Sequence, residues 1–185
     1  KKTTKMETKI HSWSRIENNC FILWKIITFL WRIIISIEKS DYMNKEFSEY
    51  TYNEIKIGLK KEFSVKITES LVNDFAKISG DYSPIHMDIE YASTTSFKKR
   101  VVHGMLLASF FSRIDGMYLP GKHALYFSQT LKFVNPCFID DLVTVKSEVI
   151  EKSDSTQIIT INSQIINESG QILVKGLGKV LVRND

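Results

Sequence analysis

The sequence predicts an α+β domain in which a curved antiparallel sheet wraps one long central helix. Three observations carry this expectation. The elements run as one strand, then helices, then four strands, so helices and strands are grouped rather than alternating, which favours an α+β layer arrangement. A single helix, over about residues 103–117, is apolar or small almost all round, as a buried helix is. The last four segments alternate apolar and polar residues and are separated by turn signals, which reads as antiparallel hairpins.

In chain order, Phe63, Val65 and Ile67 alternate with Ser64 and Lys66 as a short strand. Thr68 is the expected N-cap of a helix whose apolar stripe is Leu71, Val72, Phe75 and Ile78, ending at Ser79-Gly80. In the following SGDYSPIH, Gly80 and Pro84 forbid a regular helix, so Asp81 and His86 are expected on a fixed loop that can aim two titratable groups at one point. Asp88 can cap a short helix through Tyr91 and Ala92, and Ser93 to Ser96 reads as a polar connection. His103-Gly104-Met105 then opens the central helix, where Gly104 leaves the first N–H groups uncovered by any side chain. Extended segments follow at Leu125–Val134, Leu142–Glu151, Gln157–Asn167 and Ile172–Val182. Gly176-Leu177-Gly178 inside the last one suggests a bulge or a close approach, since no helix follows to make it a phosphate loop.

Composition narrows the function classes. The chain of 185 residues is 43% hydrophobic and 11% aromatic, enough to fill one core. Its net charge of +4 is entirely N-terminal: residues 1–42 hold eight basic and four acidic residues, leaving seventeen of each in the remainder. A balanced body gives no basic face for nucleic acid. Cys20 and Cys137 are too few for a disulfide framework, which fits a reducing compartment. No metal-ligand spacing links them with His11, His86, His103 or His123, so no metal is expected.

The stretch 79–112 resembles the MaoC-like, (R)-specific enoyl-CoA hydratases, whose pattern is an S-G-D-x-N-P-[IL]-H loop, an alanine- and threonine-rich segment and an H-G-M helix. Ser79-Gly80-Asp81, Pro84-Ile85-His86, Tyr91-Ala92, Thr95, Phe97, Arg100 and His103-Gly104-Met105 match it. The likeness continues through Leu119-Pro120-Gly121 and Tyr126 to Gln129, then Leu131, Phe133 and Pro136, over roughly residues 63–150. Ser83 stands where that family usually has Asn, and Asp140 where it usually has Gly. The resemblance implies the hot-dog fold, a homodimer, a cytoplasmic enzyme without cofactor, and reversible hydration of trans-2-enoyl-CoA to (R)-3-hydroxyacyl-CoA, coenzyme A being part of the substrate.

That reaction needs a base to activate water, an acid to protonate the α-carbon and donors for the enolate-like thioester oxygen. Asp81 and His86 can share one water and trade protons, and the Gly104 N–H can receive the oxygen. Taken alone, an Asp in a G-D turn is more often a turn former. His86 and the H-G-M helix in register are what favour catalysis. The resemblance makes Ser112 the residue that orients the aspartate; without it Ser112 and Ser109 are packing residues. Met105, Arg100 and Gln129 are candidates for substrate contact. An alternating strand has an even chance of turning Gln129 away, and Lys98, Lys99 and Arg100 are by default a solvated charge run. His103 is expected to bond a backbone group rather than perform chemistry, and His123 and His11 to be solvated. A hot-dog thioesterase, which needs only an acid, and a non-catalytic acyl-thioester-binding module are the alternatives.

Residues 1–42 stand apart. Residues 20–37, CFILWKIITFLWRIIISI, would span about 27 Å as a helix, but Lys25 and Arg32 would each cost about 2.5–3.5 kcal/mol at a helix centre. A helix lying on the membrane surface competes equally. No small-residue cleavage site follows, so a cleaved signal peptide is not expected. The preferred reading is an upstream extension without function, because MNKEFSEYTYNEIKIG from Met43 reads as a normal soluble start and the basic residues preceding the apolar run would export the C-terminal domain away from coenzyme A. Residues 43–61 then form a lead-in, and residues 62–185 the domain.

Overall fold

Among the described residues, six antiparallel strands form one sheet: β1 (Lys60–Lys66), β2 (Ala124–Gln129), β3 (Lys132–Phe133), β4 (Leu142–Ser153), β5 (Ile158–Asn167) and β6 (Ile172–Val182). The order across it is β1-β4-β5-β6-β2, with β3 continuing beside β6. Among residues 46–183 the helices are α1 (Glu69–Ser79), α2 (Pro84–Met87), α3 (Ile89–Thr94) and α4 (Gly104–Met117). The computed structural model describes residues 46–183 together with Thr28 and Arg32. Two compact units divide the chain, Lys1–Glu46 and Phe47–Asp185. Of the first, Thr28 and Arg32 are helical, and the expectations for residues 1–42 otherwise fall outside the described residues. Among the described residues no helix is long and apolar enough to cross a membrane.

The sheet follows the alternation in the sequence. Val143, Val145 and Val149 of β4 and Ile159, Ile161 and Ile165 of β5 are fully buried. Two hairpins join β4 to β5 and β5 to β6, the second closed by Gly170 in the left-handed region at φ 79°. Register shifts at Val149/Glu151, Ile165/Ile166 and Tyr126/Ser128 are the bulges by which an antiparallel sheet bends. The strand expected over Leu125–Val134 is broken into β2 and β3, and Gly176 shows why. A Cβ there would lie 2.0 Å from the Thr130 carbonyl oxygen and 2.5 Å from the Gln129 Nε2, so the crossing chain rests on bare glycine backbone.

Helix α1 starts at the predicted cap: the Thr68 side chain accepts from the Leu71 N–H, and Gly80 ends the helix at φ 74°. Val72 is fully buried, worth about 1.5–3 kcal/mol, whereas Ile78 is 86% exposed and does not belong to the buried stripe. Asp88 caps α3 by accepting from the Tyr91 N–H. Helix α4 packs on β1, β2, β4 and β6 through Leu106, Leu107, Phe110, Phe111 and Ile114. It is not enclosed on every side, as its composition suggested: Met105, Ser109, Ser112, Arg113 and Gly116 form an exposed stripe. Residues ahead of β1 are also structural, since Tyr52 and Ile55 are buried with Leu119, Val149 and Val180 in a second apolar cluster.

One buried acid stands in the α4 interface. Asp115 is 2% exposed and its Oδ1 has no hydrogen-bond partner among the described residues. Burial pushes its carboxyl up to about 7, offset only in part by the Tyr126 hydroxyl. A raised carboxyl pKa means that stability is fully present below the unfolded value near 4 and is lost as pH rises through about 7. Asp115→Asn is therefore expected to be more stable than the parent in urea at pH 8, by an amount on the order of a few kcal/mol, and to lose that advantage by pH 4. An advantage independent of pH would show that the carboxyl is not the strained group.

Candidate active site

The site is built where the segment between α3 and α4 passes the loop after α1. Asp81 directly follows the Gly80 cap; its Oδ1 accepts from the Ser83 N–H at 3.1 Å, and its own N–H donates to the Ser79 Oγ at 3.2 Å. The carboxylate is held in a turn yet remains exposed to solvent. His86 does not sit on an irregular loop as expected. Pro84 blocks continuation of a helix from its N-terminal side but is well suited to the first helical turn, and Pro84–Met87 forms the single turn α2 that carries His86.

Four contacts from residues 100–103 fasten this loop. The Val101 N–H donates to the Ile85 carbonyl at 3.1 Å. His86 Nδ1 lies 2.6 Å from the Val101 carbonyl, which can only accept, so Nδ1 carries the proton and Nε2 keeps its lone pair. Arg100 Nε donates to the His86 carbonyl at 2.6 Å, and His103 Nε2 donates to the Asp81 carbonyl at 2.9 Å. The rings of His86 and His103 are 4.0 Å apart at their centroids and tilted by 31°. Burial holds His103 below its ordinary pKa, the Asp81 carbonyl only partly countering this.

Asp81, His86 and Gly104 line one pocket of about 520 Å³ whose other walls include Val102, Leu107 and Val174. Gly104 is the first residue of α4, so its N–H has no partner within the helix. The ring of Phe133 lies against it, and a Cβ on Gly104 would meet Phe133 Cε1 at 2.8 Å. Cys137 also lines the pocket. Burial pushes its thiol up to about 12, with Asp141 adding to the shift, which makes it a neutral wall rather than a nucleophile.

The other residues singled out in the sequence divide. Met105 lines the pocket. Ser112 lies two turns further along α4, exposed and outside the lining, and the Asp81 carboxylate accepts from Ser83 rather than from it. Gln129 also lies outside the lining: its Oε1 accepts from the Tyr126 hydroxyl at 2.7 Å and its Nε2 donates to the Thr130 carbonyl at 2.7 Å. Arg100 is not part of a solvated charge run. It is 8% exposed, with Nη1 on Glu69 Oε1 at 2.6 Å and Nη2 on Asn73 Oδ1 at 3.4 Å, so its guanidinium braces α1 against the loop. Sequence reasoning missed that brace because two lysines precede the arginine. Its one legible hint was Glu69, an acid in the first turn of α1.

Ligand atoms of Asp81, His86 and His103 lie within 4.8 Å of one another. The lone pairs left on the two imidazoles, at His86 Nε2 and His103 Nδ1, lie in the planes of rings packed face to face at 4.0 Å, an arrangement that does not aim both at one ion in tetrahedral geometry. Two ordinary hydrogen-bonding groups around a bare helix start suit proton transfer beside a developing oxyanion.

Comparison with known proteins points to one group. The family described as "MaoC like domain" matches residues 51–170. The chain is 38% identical over 122 residues to an (R)-specific enoyl-CoA hydratase of Aeromonas caviae, covering 66% of this chain and 91% of that one. It is 36% identical over 131 residues to the protein of the same name from Rhodospirillum rubrum, covering 71% and 90%. Among solved structures, the (R)-hydratase from A. caviae involved in PHA biosynthesis superposes with a TM-score of 0.68 at 37% identity, over 70% of this chain and 98% of that one. The unliganded R-hydratase PhaJ1 from Pseudomonas aeruginosa gives a TM-score of 0.72 at 33% identity, over 75% and 89%.

The Phe133 contact makes Gly104 testable. Gly104→Ala is expected to destabilise the fold by about 1–3 kcal/mol by overpacking, and Phe133→Leu in the same chain to recover most of that loss in thermal denaturation. A Gly104→Ala protein of unchanged stability would show that the ring yields without cost.

Proposed function

Because the chain belongs to the MaoC-like domain family, we propose that it catalyses reversible hydration of trans-2-enoyl-CoA to (R)-3-hydroxyacyl-CoA through Asp81, His86 and the Gly104 N–H. The observation that supports this most is the convergence of those three groups on one largely apolar pocket. A water between the dyad residues loses a proton to the His86 Nε2 lone pair while the Asp81 carboxylate orients it, and its oxygen bonds to the β-carbon. Electrons of the double bond move toward the thioester, whose oxygen accepts a hydrogen bond from Gly104 as negative charge develops. The dyad then returns the proton to the α-carbon, so one water is added and no cofactor is consumed. Phe97, Val102 and Leu107 offer an apolar wall for the acyl chain. The (R) configuration follows the names of the two hydratases above and not the spacing of the dyad.

The working protein is a homodimer in this reading. Strand β2 is an edge of the sheet, with Leu125 52% and Phe127 68% exposed, and α4 leaves the stripe from Met105 to Gly116 uncovered. Proteins seldom leave a long apolar edge open. The cytoplasm, where coenzyme A thioesters are met, is the compartment that fits.

Crotonyl-CoA distinguishes the reaction classes when enoyl absorbance and free thiol are followed together. The proposed hydratase bleaches the enoyl band, keeps the thioester and yields the (R)-3-hydroxy product. Thiol release matching the loss of absorbance would establish a thioesterase instead, and no change beyond stoichiometry a binding module. Sedimentation at micromolar concentration is expected to give a dimer, and a monomer that turns over substrate normally would contradict the assembly.

A further inference from the structure

We propose that His103 is the positioning residue of the dyad, one imidazole that holds Asp81 by a hydrogen bond to its backbone and His86 by stacking on its ring. This rests on the catalytic reading of Asp81 and His86 given above.

His103 touches both partners from a fixed point. It is 1% exposed, its Nε2 lies 2.9 Å from the Asp81 carbonyl, and its ring centroid is 4.0 Å from that of His86. Phe75 of α1 closes the other side at 5.1 Å. The same residue is the N-cap of α4, so its backbone also places the Gly104 N–H. An imidazole at an N-cap could serve the helix instead, but this one makes no side-chain capping bond. Its Nδ1 is buried and has no partner among the described residues, so the bond from Nε2 to the Asp81 carbonyl is the one hydrogen bond the side chain makes among them. The arrangement is explained if the side chain is there for the residues on its Nε2 edge and its ring face. Because the Asp81 carbonyl can only accept, His103 is the Nε2–H tautomer, and its burial keeps it neutral. A neutral ring beside His86 does not oppose the proton that His86 takes from water. A charged one at 4.0 Å would.

Two substitutions separate the contacts. His103→Gln can keep an N–H near the Nε2 position and loses the ring, while His103→Phe keeps a ring and loses the donor. Each is expected to lower kcat for crotonyl-CoA hydration by about 10- to 100-fold, the effect of a small misplacement of reacting groups, with KM changed by less than about threefold. Introduced into an Asp81→Asn chain, either should cost well under its loss in the parent, because a residue acting through the dyad has little left to position. Folded variants with parental kcat, or equal losses in both backgrounds, would overturn the proposal. If neither variant folds, nitrogen-15 NMR of the unaltered protein decides: at about pH 8 Nε2 should be protonated and Nδ1 bare, and the second proton should be taken up only below the ordinary histidine range, so the opposite tautomer, or a His103 that titrates at or above that range, would overturn it. Parental turnover by Asp81→Asn alone would instead remove the dyad reading, a result recognisable before any His103 variant is made.

Discussion

The hydrogen bond from His86 Nδ1 to the Val101 carbonyl, at 2.6 Å, is the contact on which the candidate site depends. It fixes the tautomer, leaves the Nε2 lone pair toward the pocket and ties α2 to the segment that leads into α4. The neighbouring contacts repeat the same link. Arg100 reaches the His86 carbonyl, Val101 the Ile85 carbonyl and His103 the Asp81 carbonyl. Arg100, Val101 and His103 thus hold a loop whose Asp81 carboxylate is exposed, so rigidity comes from backbone carbonyls rather than from burial of the side chains.

The rest of the fold keeps that segment still. Arg100 is anchored to Glu69 and Asn73 of α1, and the Val102 N–H donates to the Cys137 carbonyl at 2.8 Å. The exposed end of the Arg100–Glu69 pair is worth little as an ion pair, since Glu69 is 60% exposed. Its value is directional: a guanidinium fork can satisfy α1 and the His86 carbonyl together, which a lysine could not. Beneath α4 the sheet supplies a floor of Val143, Val145 and Ile165. Gly176 and Gly178 let the Gln129 side chain lie flat on β6, with Gln129 Oε1 2.7 Å from where a Gly178 Cβ would stand.

Much of this was legible in the sequence, for identifiable reasons. Period-two alternation in β4 and β5 and the Thr68 and Asp88 caps are local signals with local causes, and they lie where expected. Asp81, His86 and Gly104 meeting in one pocket followed from a motif whose parts are joined by short connections. What failed was long-range or orientational. Ile78 has helical spacing but faces solvent at the last turn of α1, Pro84 starts a turn of helix rather than preventing one, and Gln129 is taken up by Tyr126 and Thr130. Arg100 reads as one of three adjacent cations until α1 is folded against it. Asp115 had no sequence signal at all, because a polar residue in an apolar helix reads as surface until the sheet covers it.

The central claim is that Asp81 and His86 act as one unit on one water. Turnover of crotonyl-CoA by Asp81→Asn, by His86→Ala and by the two combined tests it directly. The account predicts a loss of about 10²–10⁴-fold for each single substitution, with the double substitution little worse than the more damaging single one. Losses that multiply, or an Asp81→Asn protein that turns over like the parent, would contradict it.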